Sequence, residues 1–275
     1  MKHTSIAFVG GGNMARSLVG GLIQDGLPAG RLTVAELDPI RRRALQEDFG
    51  VRVTEDSAAA VSKAEVVVFA VKPEVLPAVA RELSSALAAR TPLAISIAAG
   101  IRSTDLARWL GDGVPVVRAM PNTPALLGCG ATVLCAGPGA GAGHREQAEA
   151  ILRAVGSVNW VEDESQMDAV TALSGSGPAY FFLLAEALGD GAAALGMDLA
   201  QARLLAVETA LGAARMAIES DRDVAELRRR VTSPGGTTEA ALETLEAGGF
   251  RALVAAALAQ GQERSRQLAE RFSDE

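Results

Sequence analysis

Short apolar runs alternate with amphipathic stretches over roughly the first 160 positions of the chain. The run Val66–Val71 reads VVVFAV, as expected of a parallel strand that is buried on both faces. Similar runs predict strands at Ile6–Gly10, Leu32–Glu36, Leu93–Ala98, Pro115–Ala119, Ala131–Ala136 and Val158–Val161. Helical spacing is found between most of them, at Asn13–Asp25, at Pro39–Asp48 and at residues 74–89, 103–110 and 143–156. This alternation predicts an α/β fold with a doubly wound parallel sheet.

The alternation ends near residue 163, and no convincing strand pattern follows. The rest of the chain is predicted to form helices at residues 165–172, 178–195, 198–219, 222–231, 237–246 and 250–271. We therefore expect an α/β domain at residues 1–162 and an all-helical domain at residues 163–275. The glycine-rich residues 137–143 are expected to form a flexible loop.

The helical stretch 178–219 is apolar around much of its circumference. A helix on the surface of a monomer keeps one polar face towards water. The pattern therefore predicts that a second subunit covers this stretch, in a homodimer formed through the helical domain. A thick monomeric bundle is the alternative that the sequence leaves open.

The composition narrows the classes of partner. With 26 basic and 33 acidic residues the net charge is −7, which argues against a nucleic-acid or anionic membrane surface. Cys129 and Cys135 lack the C-x-x-C spacing and the neighbouring histidines of a metal site, so no metal is expected. Two such cysteines are typical of a reduced, cytoplasmic protein. Residues 119–143 lack charge, but glycine and proline interrupt them too often for a membrane span.

A glycine-rich segment follows the first predicted strand and opens the first helix. Residues 10–15, GGGNMA, fit G-x-G-x-x-A in the strand–turn–helix context of a Rossmann-type dinucleotide site. Gly10 allows the tight turn, and Gly12 lets the backbone approach a pyrophosphate that the helix N-terminus stabilises. The expected cofactor is NADH or NADPH, bound by Gly10, Gly12, Asn13 and Met14. A plain glycine-rich turn is the alternative.

Glu36 closes the second predicted strand. A carboxylate at this point binds the ribose hydroxyls of NAD and repels the 2′-phosphate of NADP. Arg41, Arg42 and Arg43 follow soon after and offer an opposing charge, unless they only form a solvated helix face. The carboxylate favours NADH, but the sequence leaves the choice of cofactor open.

Three further segments follow predicted strands at their carboxyl ends, where ligands of such sheets bind. Ala70 and Lys72 lie in AVKP, and Lys72 is a candidate for phosphate or ribose unless it is an ordinary loop lysine. Ala98 lies in AAG, where small residues permit close approach of a nicotinamide. Asn122 lies between the prolines of MPNTP and is a candidate to orient a carboxamide or the substrate. The alternative for MPNTP is a rigid turn.

The most unusual segment is TSPGGTT at residues 232–238, between two helical stretches. Proline and paired glycines end a helix and set a tight loop. Hydroxyls and N–H groups then form a small polar nest at the start of the next helix. Such a nest suits a carboxylate. An ordinary helix connector with a threonine N-cap is the alternative.

Five motifs occur in order and at fitting separations: GGGNMA at 10–15, AVKP at 70–73, MPNTP at 120–124, SGSGPAY at 174–180 and TSPGGTT at 232–238. Together they resemble the pyrroline-5-carboxylate reductases over nearly the whole chain, and the last two motifs are the most specific. The resemblance implies a Rossmann-type domain followed by an all-α dimerisation domain. It implies reduction of Δ1-pyrroline-5-carboxylate to L-proline by NADPH or NADH, the last step of proline biosynthesis. It also implies interlocked homodimers, with rings of dimers as a larger assembly.

The resemblance further assigns roles in the TSPGGTT loop. The backbone N–H groups of Gly236, Thr237 and Thr238 would hold the substrate carboxylate, and Thr238 would face the ring nitrogen as the catalytic group. Ser174 and Ser176 lie on a glycine hinge that opens a helix and are candidates to shape the substrate site. Helix capping is the alternative for both serines.

The scarcity of proton donors agrees with reduction of an imine. The chain has two histidines and one tyrosine, and no lysine follows Lys72. Reduction of a ketone creates an alkoxide, which usually needs a positioned acid. A cyclic imine can carry its proton before hydride arrives, so that positioning and a hydroxyl partner such as Thr238 suffice.

Some positions depart from the family pattern. Ser57 stands where some members have an asparagine that touches the cofactor, and it is kept as a candidate cofactor contact. Arg230 replaces an asparagine before the loop, and Asp221 matches a carboxylate near the ring nitrogen only loosely.

Three other functions remain as alternatives. One is another imine or ketoacid reductase of the 6-phosphogluconate dehydrogenase-like superfamily. A β-hydroxyacid dehydrogenase would need a lysine in the helical domain, where this chain has none. A nucleotide-sensing protein that has lost the reaction would not need a substrate nest at residues 232–238.

Overall fold

The computed structural model describes residues 3–273. The strands are β1 (Ile6–Val9), β2 (Leu32–Ala35), β3 (Arg52–Thr54), β4 (Val66–Phe69), β5 (Leu93–Ser96), β6 (Val116–Met120), β7 (Gly130–Ala136) and β8 (Gly156–Val161). The helices are α1 (Asn13–Gln24), α2 (Pro39–Phe49), α3 (Ser57–Val61), α4 (Leu76–Ala88), α5 (Ser103–Leu110), α6 (Ala142–Arg153), α7 (Met167–Val170), α8 (Gly177–Ala194), α9 (Leu199–Glu219), α10 (Val224–Arg230), α11 (Thr237–Ala247) and α12 (Phe250–Ser273). A π-helical turn, Thr171–Gly175, joins α7 to α8.

The strands form one sheet in the order β3-β2-β1-β4-β5-β6-β7-β8. The predicted α/β class with a doubly wound, mostly parallel sheet is confirmed, and one pair departs from the parallel arrangement: β7 runs antiparallel to β6. Parallel neighbours need a crossover of a dozen or more residues. The connection at residues 121–129 contains only a 3₁₀ helix, Thr123–Leu127, so the chain turns back on itself.

The seven strands predicted from apolar runs are all present, with ends displaced by a few residues. The strand β3 and the helix α3 were not predicted. β3 is only three residues long, pairs at the edge of the sheet with β2 and begins with the exposed Arg52. So short a strand leaves little alternation of apolar and polar positions in the sequence. The helix α6 begins at Ala142, inside the segment expected to be a flexible loop.

Two apolar cores cover the two faces of the sheet. One face packs against α1, α2 and α6, with Leu18, Leu45 and Ile151 among the buried residues. The other packs against α3, α4, α5 and the end of α12, which contributes Phe272. The alternation of side chains along β1 and β4 distributes their apolar residues to both cores. Burial on both faces explains why these strands contain no polar residue.

An ion pair with a buried arginine joins β6 to the segment between β8 and α7. Arg118, in the middle of β6, donates to Glu164 across 3.0 Å, and only 4% of the arginine side chain is exposed. Glu164 also accepts the backbone N–H of Ser103 at 2.7 Å and its hydroxyl. Because α5 has no side-chain cap of its own, this carboxylate stabilises the start of that helix from a distant part of the chain.

The chain folds into two compact units. The first comprises residues 1–176 and 259–275, of which the structure describes 3–176 and 259–273, and the second comprises residues 177–258. The division therefore differs from the boundary expected after residue 162. Residues 163–176 and the end of α12 belong with the sheet, where Ser265 donates to Asp168 at 2.7 Å and Ser273 to Asp105 at 2.7 Å.

The second unit is built of helices. α8 and α9 pack closely at Gly189, where a Cβ atom would lie 2.7 Å from Cγ of Arg203. Large apolar side chains of α8 remain exposed, among them Phe181, Phe182 and Leu183. Among the helices of residues 3–273, none combines the length and the apolar character that crossing a bilayer requires.

Candidate functional site

The carboxyl ends of β1, β2, β3, β4, β5 and β6 meet at one edge of the sheet, because these strands are parallel. The predicted cofactor residues all follow these ends: Gly10, Gly12, Asn13 and Met14 after β1, Glu36 after β2, Ser57 after β3, Ala70 and Lys72 after β4, Ala98 after β5, and Asn122 after β6. Ligands of doubly wound sheets bind at this edge. The fold thus gathers the predicted cofactor residues on one side of the first unit.

Gly10 and Gly12, at the two ends of the turn after β1, differ in whether the backbone and its surroundings would allow a side chain. Gly10 has φ +101°, and a Cβ there would lie 2.7 Å from the carbonyl oxygen of Ala70. Gly12 has φ −68°, and a Cβ there would meet no atom within 4 Å. The N-terminus of α1 carries no side-chain cap, so its N–H groups face the same open space. An uncapped helix N-terminus behind an open glycine fits a dinucleotide pyrophosphate.

Glu36 is folded back onto this turn. Its Oε2 accepts the N–H of Gly11 at 2.9 Å, and its Oε1 accepts the N–H of Asp38 at 3.0 Å. The carboxylate is half-buried beside the glycines. Two backbone donors therefore fix a negative charge at the end of β2, where the ribose of a dinucleotide is expected.

The three arginines of α2 are engaged to different degrees. Arg42 donates to the carbonyl oxygens of Glu36 and Leu37 at 2.7 and 2.8 Å, so it holds the loop after β2. Arg43 pairs with Glu47 one turn along the helix. Arg41 lies 3.7 Å from Asp38 and is largely exposed. Arg41 is therefore the guanidinium of this group that is most free to reach a phosphate.

Lys72 and Ala98 occupy contrasting surroundings at the same edge. Lys72 is exposed, and its side chain makes no hydrogen bond or ion pair to residues 3–273. Ala98 is 5% exposed and lies just before Gly100, which has φ +73°. A free cation and a small residue at neighbouring strand ends are compatible with the phosphate and nicotinamide contacts predicted for them.

Asn122 connects the MPNTP and SGSGPAY motifs. Its Oδ1 accepts the N–H of Ala131 at 2.9 Å, and its Nδ2 donates to the carbonyl oxygen of Ser174 at 3.2 Å. Ser174 Oγ lies 3.4 Å from the same Nδ2 and donates to the carbonyl oxygen of Ala131 at 3.4 Å. Both ends of the Asn122 amide are thus used within the first unit.

The TSPGGTT loop lies in the second unit, between α10 and α11. Gly235 has φ +70°, and its N–H donates to the carboxylate of Glu239 at 2.7 Å. Gly236 is the N-cap of α11, and its N–H donates to the carbonyl oxygen of Ser233 at 3.0 Å. The two glycines therefore use their own N–H groups to build the turn.

The donors that this turn leaves free belong to the two threonines. The N–H groups and hydroxyls of Thr237 and Thr238 make no hydrogen bond within the described part of the chain, and both residues are exposed. They form the first turn of α11, whose N-terminus favours negative charge. Of the groups predicted to bind a carboxylate, the two adjacent N–H groups of Thr237 and Thr238 are therefore free, each with a hydroxyl beside it.

The pKa shifts produced by the fold concern other parts of the molecule. Burial raises the pKa of the Cys135 thiol, and the nearby Glu164 carboxylate adds to that shift. A protonated, buried thiol is unreactive as a nucleophile. The remaining shifts belong to surface carboxylates and arginines such as Glu162 and Arg145, whose hydrogen bond lowers the one pKa and raises the other.

Sequence reasoning missed the residues that support the site. Arg118 and Glu164 hold β6 and the start of α5 together, close to the MPNTP loop. A lone arginine inside the apolar strand VVRAM was a signal, since a buried charge requires a partner. Nothing in the sequence indicated which carboxylate supplies that partner.

Two family models match the chain. Residues 164–268 match the model described as pyrroline-5-carboxylate reductase dimerisation. Residues 5–100 match the model described as NADP oxidoreductase, coenzyme F420-dependent.

Curated relatives and solved structures cover the chain almost completely. The pyrroline-5-carboxylate reductase of Pseudomonas aeruginosa is 50% identical over 272 residues, which is 99% of each chain. That of Arabidopsis thaliana is 41% identical over 96% of this chain and 95% of its own. The structure of a pyrroline-5-carboxylate reductase from Coxiella burnetii is 44% identical with a TM-score of 0.93, covering 97% of this chain and 98% of that one. The Plasmodium falciparum pyrroline carboxylate reductase with NADP bound is 26% identical with a TM-score of 0.86, covering 98% and 99%.

The two outer glycines of the turn after β1 should respond differently to alanine. Gly12→Ala should cost at most about 1 kcal/mol of unfolding free energy, because the new methyl group meets open space. It should weaken dinucleotide binding at least roughly tenfold, because that space is where the pyrophosphate approaches the backbone. Urea unfolding and fluorescence titration with NADH and NADPH measure the two effects.

Gly10→Ala is the matched control. Its φ of +101° and the close Ala70 carbonyl should lower the unfolding free energy by about 1–2 kcal/mol or more. Wild-type dinucleotide affinity in Gly12→Ala would show that the pyrophosphate does not lie at this turn.

Proposed function

The chain belongs to the pyrroline-5-carboxylate reductase family, and on this ground we propose that it reduces Δ1-pyrroline-5-carboxylate to L-proline with NADH or NADPH. The reaction is the last step of proline biosynthesis. The observation that carries the proposal is identity of 50% over 99% of the chain with a pyrroline-5-carboxylate reductase. The predicted cofactor edge and the free donors of the TSPGGTT loop support it independently.

The TSPGGTT loop supplies groups that suit the substrate carboxylate. The free N–H groups of Thr237 and Thr238 lie next to each other at the N-terminus of α11. Two adjacent N–H donors bind the two oxygens of a carboxylate, and the helix dipole adds to the attraction. We assign to Gly235 and Gly236 the formation of this turn, since their N–H groups bond to Glu239 and Ser233.

Thr238 is proposed as the partner of the ring nitrogen. The imine nitrogen carries its proton before reduction, and a reduced nicotinamide bound at the cofactor edge would supply hydride for the C=N carbon. A hydroxyl that hydrogen-bonds the nitrogen fixes the plane of the ring, and no strong acid is required of the protein. The Thr238 hydroxyl makes no bond within residues 3–273 and is available for this role.

Glu36 is proposed to make NADH the preferred cofactor. Its carboxylate is fixed by two backbone N–H groups at the end of β2. A fixed negative charge attracts the ribose hydroxyls and repels a 2′-phosphate. Arg42 is held by two carbonyl oxygens and Arg43 by Glu47, so only the exposed Arg41 opposes this effect.

The helical unit is proposed to form a homodimer. Phe181, Phe182 and Leu183 on α8 are more than three-fifths exposed in the single chain, and apolar side chains of α9 are exposed as well. Contiguous apolar surface of this kind marks a protein interface. The match of residues 164–268 to a dimerisation model supports the same conclusion. On the ground of the family resemblance we further propose that such dimers assemble into a ring.

We propose the cytoplasm as the compartment. The thiols of Cys129 and Cys135 are both free, the first exposed and the second buried. Reducing compartments keep such thiols in this form.

Replacing Thr238 by valine should lower kcat/KM for pyrroline-5-carboxylate by roughly ten- to a hundredfold. The change removes one hydrogen bond to a charged ring nitrogen and keeps the shape of the side chain. Thr238→Ser keeps a hydroxyl and should recover much of the activity. Oxidation of NADH and NADPH at 340 nm measures the rates of wild type and variants.

Thr244→Val is the matched control on the same helix, because that hydroxyl only bonds to the carbonyl oxygen of Ala240. It should retain wild-type rates. Wild-type protein that turns over with neither cofactor would disprove the proposed function, whereas wild-type rates in Thr238→Val would remove only the role of that hydroxyl.

Glu36→Gln should raise the ratio of kcat/KM for NADPH to that for NADH by roughly tenfold. The substitution removes the charge that repels the 2′-phosphate while keeping an oxygen acceptor for one backbone N–H. Glu162→Gln removes an exposed charge directly after β8, at the opposite end of the sheet from β2, and as the control it should leave the ratio unchanged. A strong NADPH preference of the wild type would show that the arginines outweigh Glu36.

A further inference from the structure

The carboxamide of Asn122 faces complementary partners at both ends. Its oxygen faces one donor, the N–H of Ala131, and its nitrogen faces two acceptors on Ser174. This pattern fixes the orientation of the amide, since reversing it would set donor against donor and acceptor against acceptor. The side chain is half-buried, and its donor hydrogens are directed at Ser174. The amide oxygen and nitrogen of Asn122 are thus already hydrogen-bonded to other groups of the protein.

The segment that Asn122 holds is the π-helical turn Thr171–Gly175. The N–H of Ser176 donates to the carbonyl oxygen of Thr171 at 2.9 Å, the wide i to i−5 bond of such a turn. A wide turn leaves the backbone of Ser174 outside the ordinary helical pattern. Pro178, four positions further on, has no N–H to donate to the carbonyl oxygen of Ser174, so that oxygen can accept from Asn122.

Packing reinforces the same contact. A Cβ at Gly175 would lie 2.4 Å from Cε of Met120, so the glycine allows the methionine to lie directly against the turn. Met120 and Asn122 thus fasten the turn from one side, by packing and by hydrogen bonds. The turn is held beside the end of β6, at the carboxyl edge of the sheet.

Ser174 in the turn and Ser176 directly after it differ in whether the hydroxyl is hydrogen-bonded. The Ser174 hydroxyl lies between Asn122 Nδ2 and the carbonyl oxygen of Ala131. The Ser176 hydroxyl makes no hydrogen bond within residues 3–273. Only Ser176 therefore presents an uncommitted hydroxyl.

We propose that Asn122 is a positioning residue that fixes the π-helical turn through Ser174, so that the Ser176 hydroxyl is presented to the reacting substrate. Asn122 itself then contacts neither the nicotinamide carboxamide nor the substrate, and Ser174 acts only as its anchor. The inference rests on the proposed reduction of pyrroline-5-carboxylate. It concerns how the first unit contributes to that reaction.

Asn122→Asp tests the proposal with little change of shape. The aspartate keeps an oxygen for the Ala131 N–H but loses both donors to Ser174, and its charge repels the carbonyl oxygen there. We expect kcat/KM for pyrroline-5-carboxylate to fall roughly ten- to a hundredfold, the size of effect that a misplaced contact group produces. The dissociation constant of NADH, measured by fluorescence titration, should stay within about twofold of wild type, because the cofactor does not touch this amide.

A double-mutant cycle separates positioning from a general loss of structure. Ser176→Ala should lower kcat/KM to a similar extent, and Asn122→Asp combined with Ser176→Ala should be no worse than the worse single variant. Such non-additivity is the result expected when one residue acts through the other, whereas independent residues give effects that multiply. Ser174→Ala keeps the carbonyl acceptor and should have the smallest effect of the three. If Asn122→Asp unfolds, Asn122→Ser, which adds no charge, takes its place in the cycle.

Three results would overturn the inference. A tenfold or larger rise in the NADH dissociation constant of Asn122→Asp would make the amide a cofactor ligand. Multiplicative effects in the double variant would make its role independent of Ser176. Wild-type kinetics in Ser176→Ala would remove the hydroxyl from the reaction. The two kinetic results presuppose wild-type turnover, so a failure of the proposed function itself is distinguishable as a wild type without activity.

Discussion

The reversal of chain direction between β6 and β7 is the constraint on which the rest of the cofactor edge depends. Because β7 runs antiparallel to β6, the first residues of β7 lie beside the last residues of β6. Asn122 can then reach Ala131 on β7 and Ser174 on the π-helical turn with one side chain. A parallel β7 would have begun at the opposite edge of the sheet, and these three segments would not meet.

Electrostatics support the same strand from within the sheet. Arg118 lies two residues before the MPNTP loop and is almost fully buried, so its charge requires Glu164. The same carboxylate binds the first N–H of α5. One ion pair thus fixes the strand that carries Asn122, the helix after β5 and the segment that leads into the π-helical turn. The catalytic hydroxyl proposed at Thr238 needs no comparable charge, because a protonated imine brings its own proton.

Periodicity predicted most of the fold because the strands are buried on both faces and the helices between them are amphipathic. Periodicity did not predict β3, because that strand has only three residues. It did not predict the direction of β7 either, because that direction depends on the length of the connection at residues 121–129. The boundary expected after residue 162 differs from the observed division because residues 163–176 belong to the unit of the sheet, to which the end of α12 also returns. No pattern in the local sequence predicts that the end of α12 belongs with the sheet.

The sequence predicted which motifs form the candidate site, but it did not predict the hydrogen bonds within them. The spacing of the glycines identifies the turn after β1, and the composition of TSPGGTT identifies a polar loop. Which N–H groups remain free could not be predicted, because Gly235 and Gly236 bond to Glu239 and Ser233 only in the folded turn. For the same reason the sequence could not show that the amide of Asn122 is hydrogen-bonded to Ala131 and Ser174.

The proposed reaction requires delivery of hydride to the C=N carbon of a pyrroline carboxylate. The most direct test uses NADH or NADPH deuterated at C4 of the nicotinamide, with proton and deuterium NMR of the product. We expect L-proline with deuterium on the ring carbon that was double-bonded to nitrogen in the substrate. Formation of no labelled proline by active, folded protein with either cofactor would contradict it.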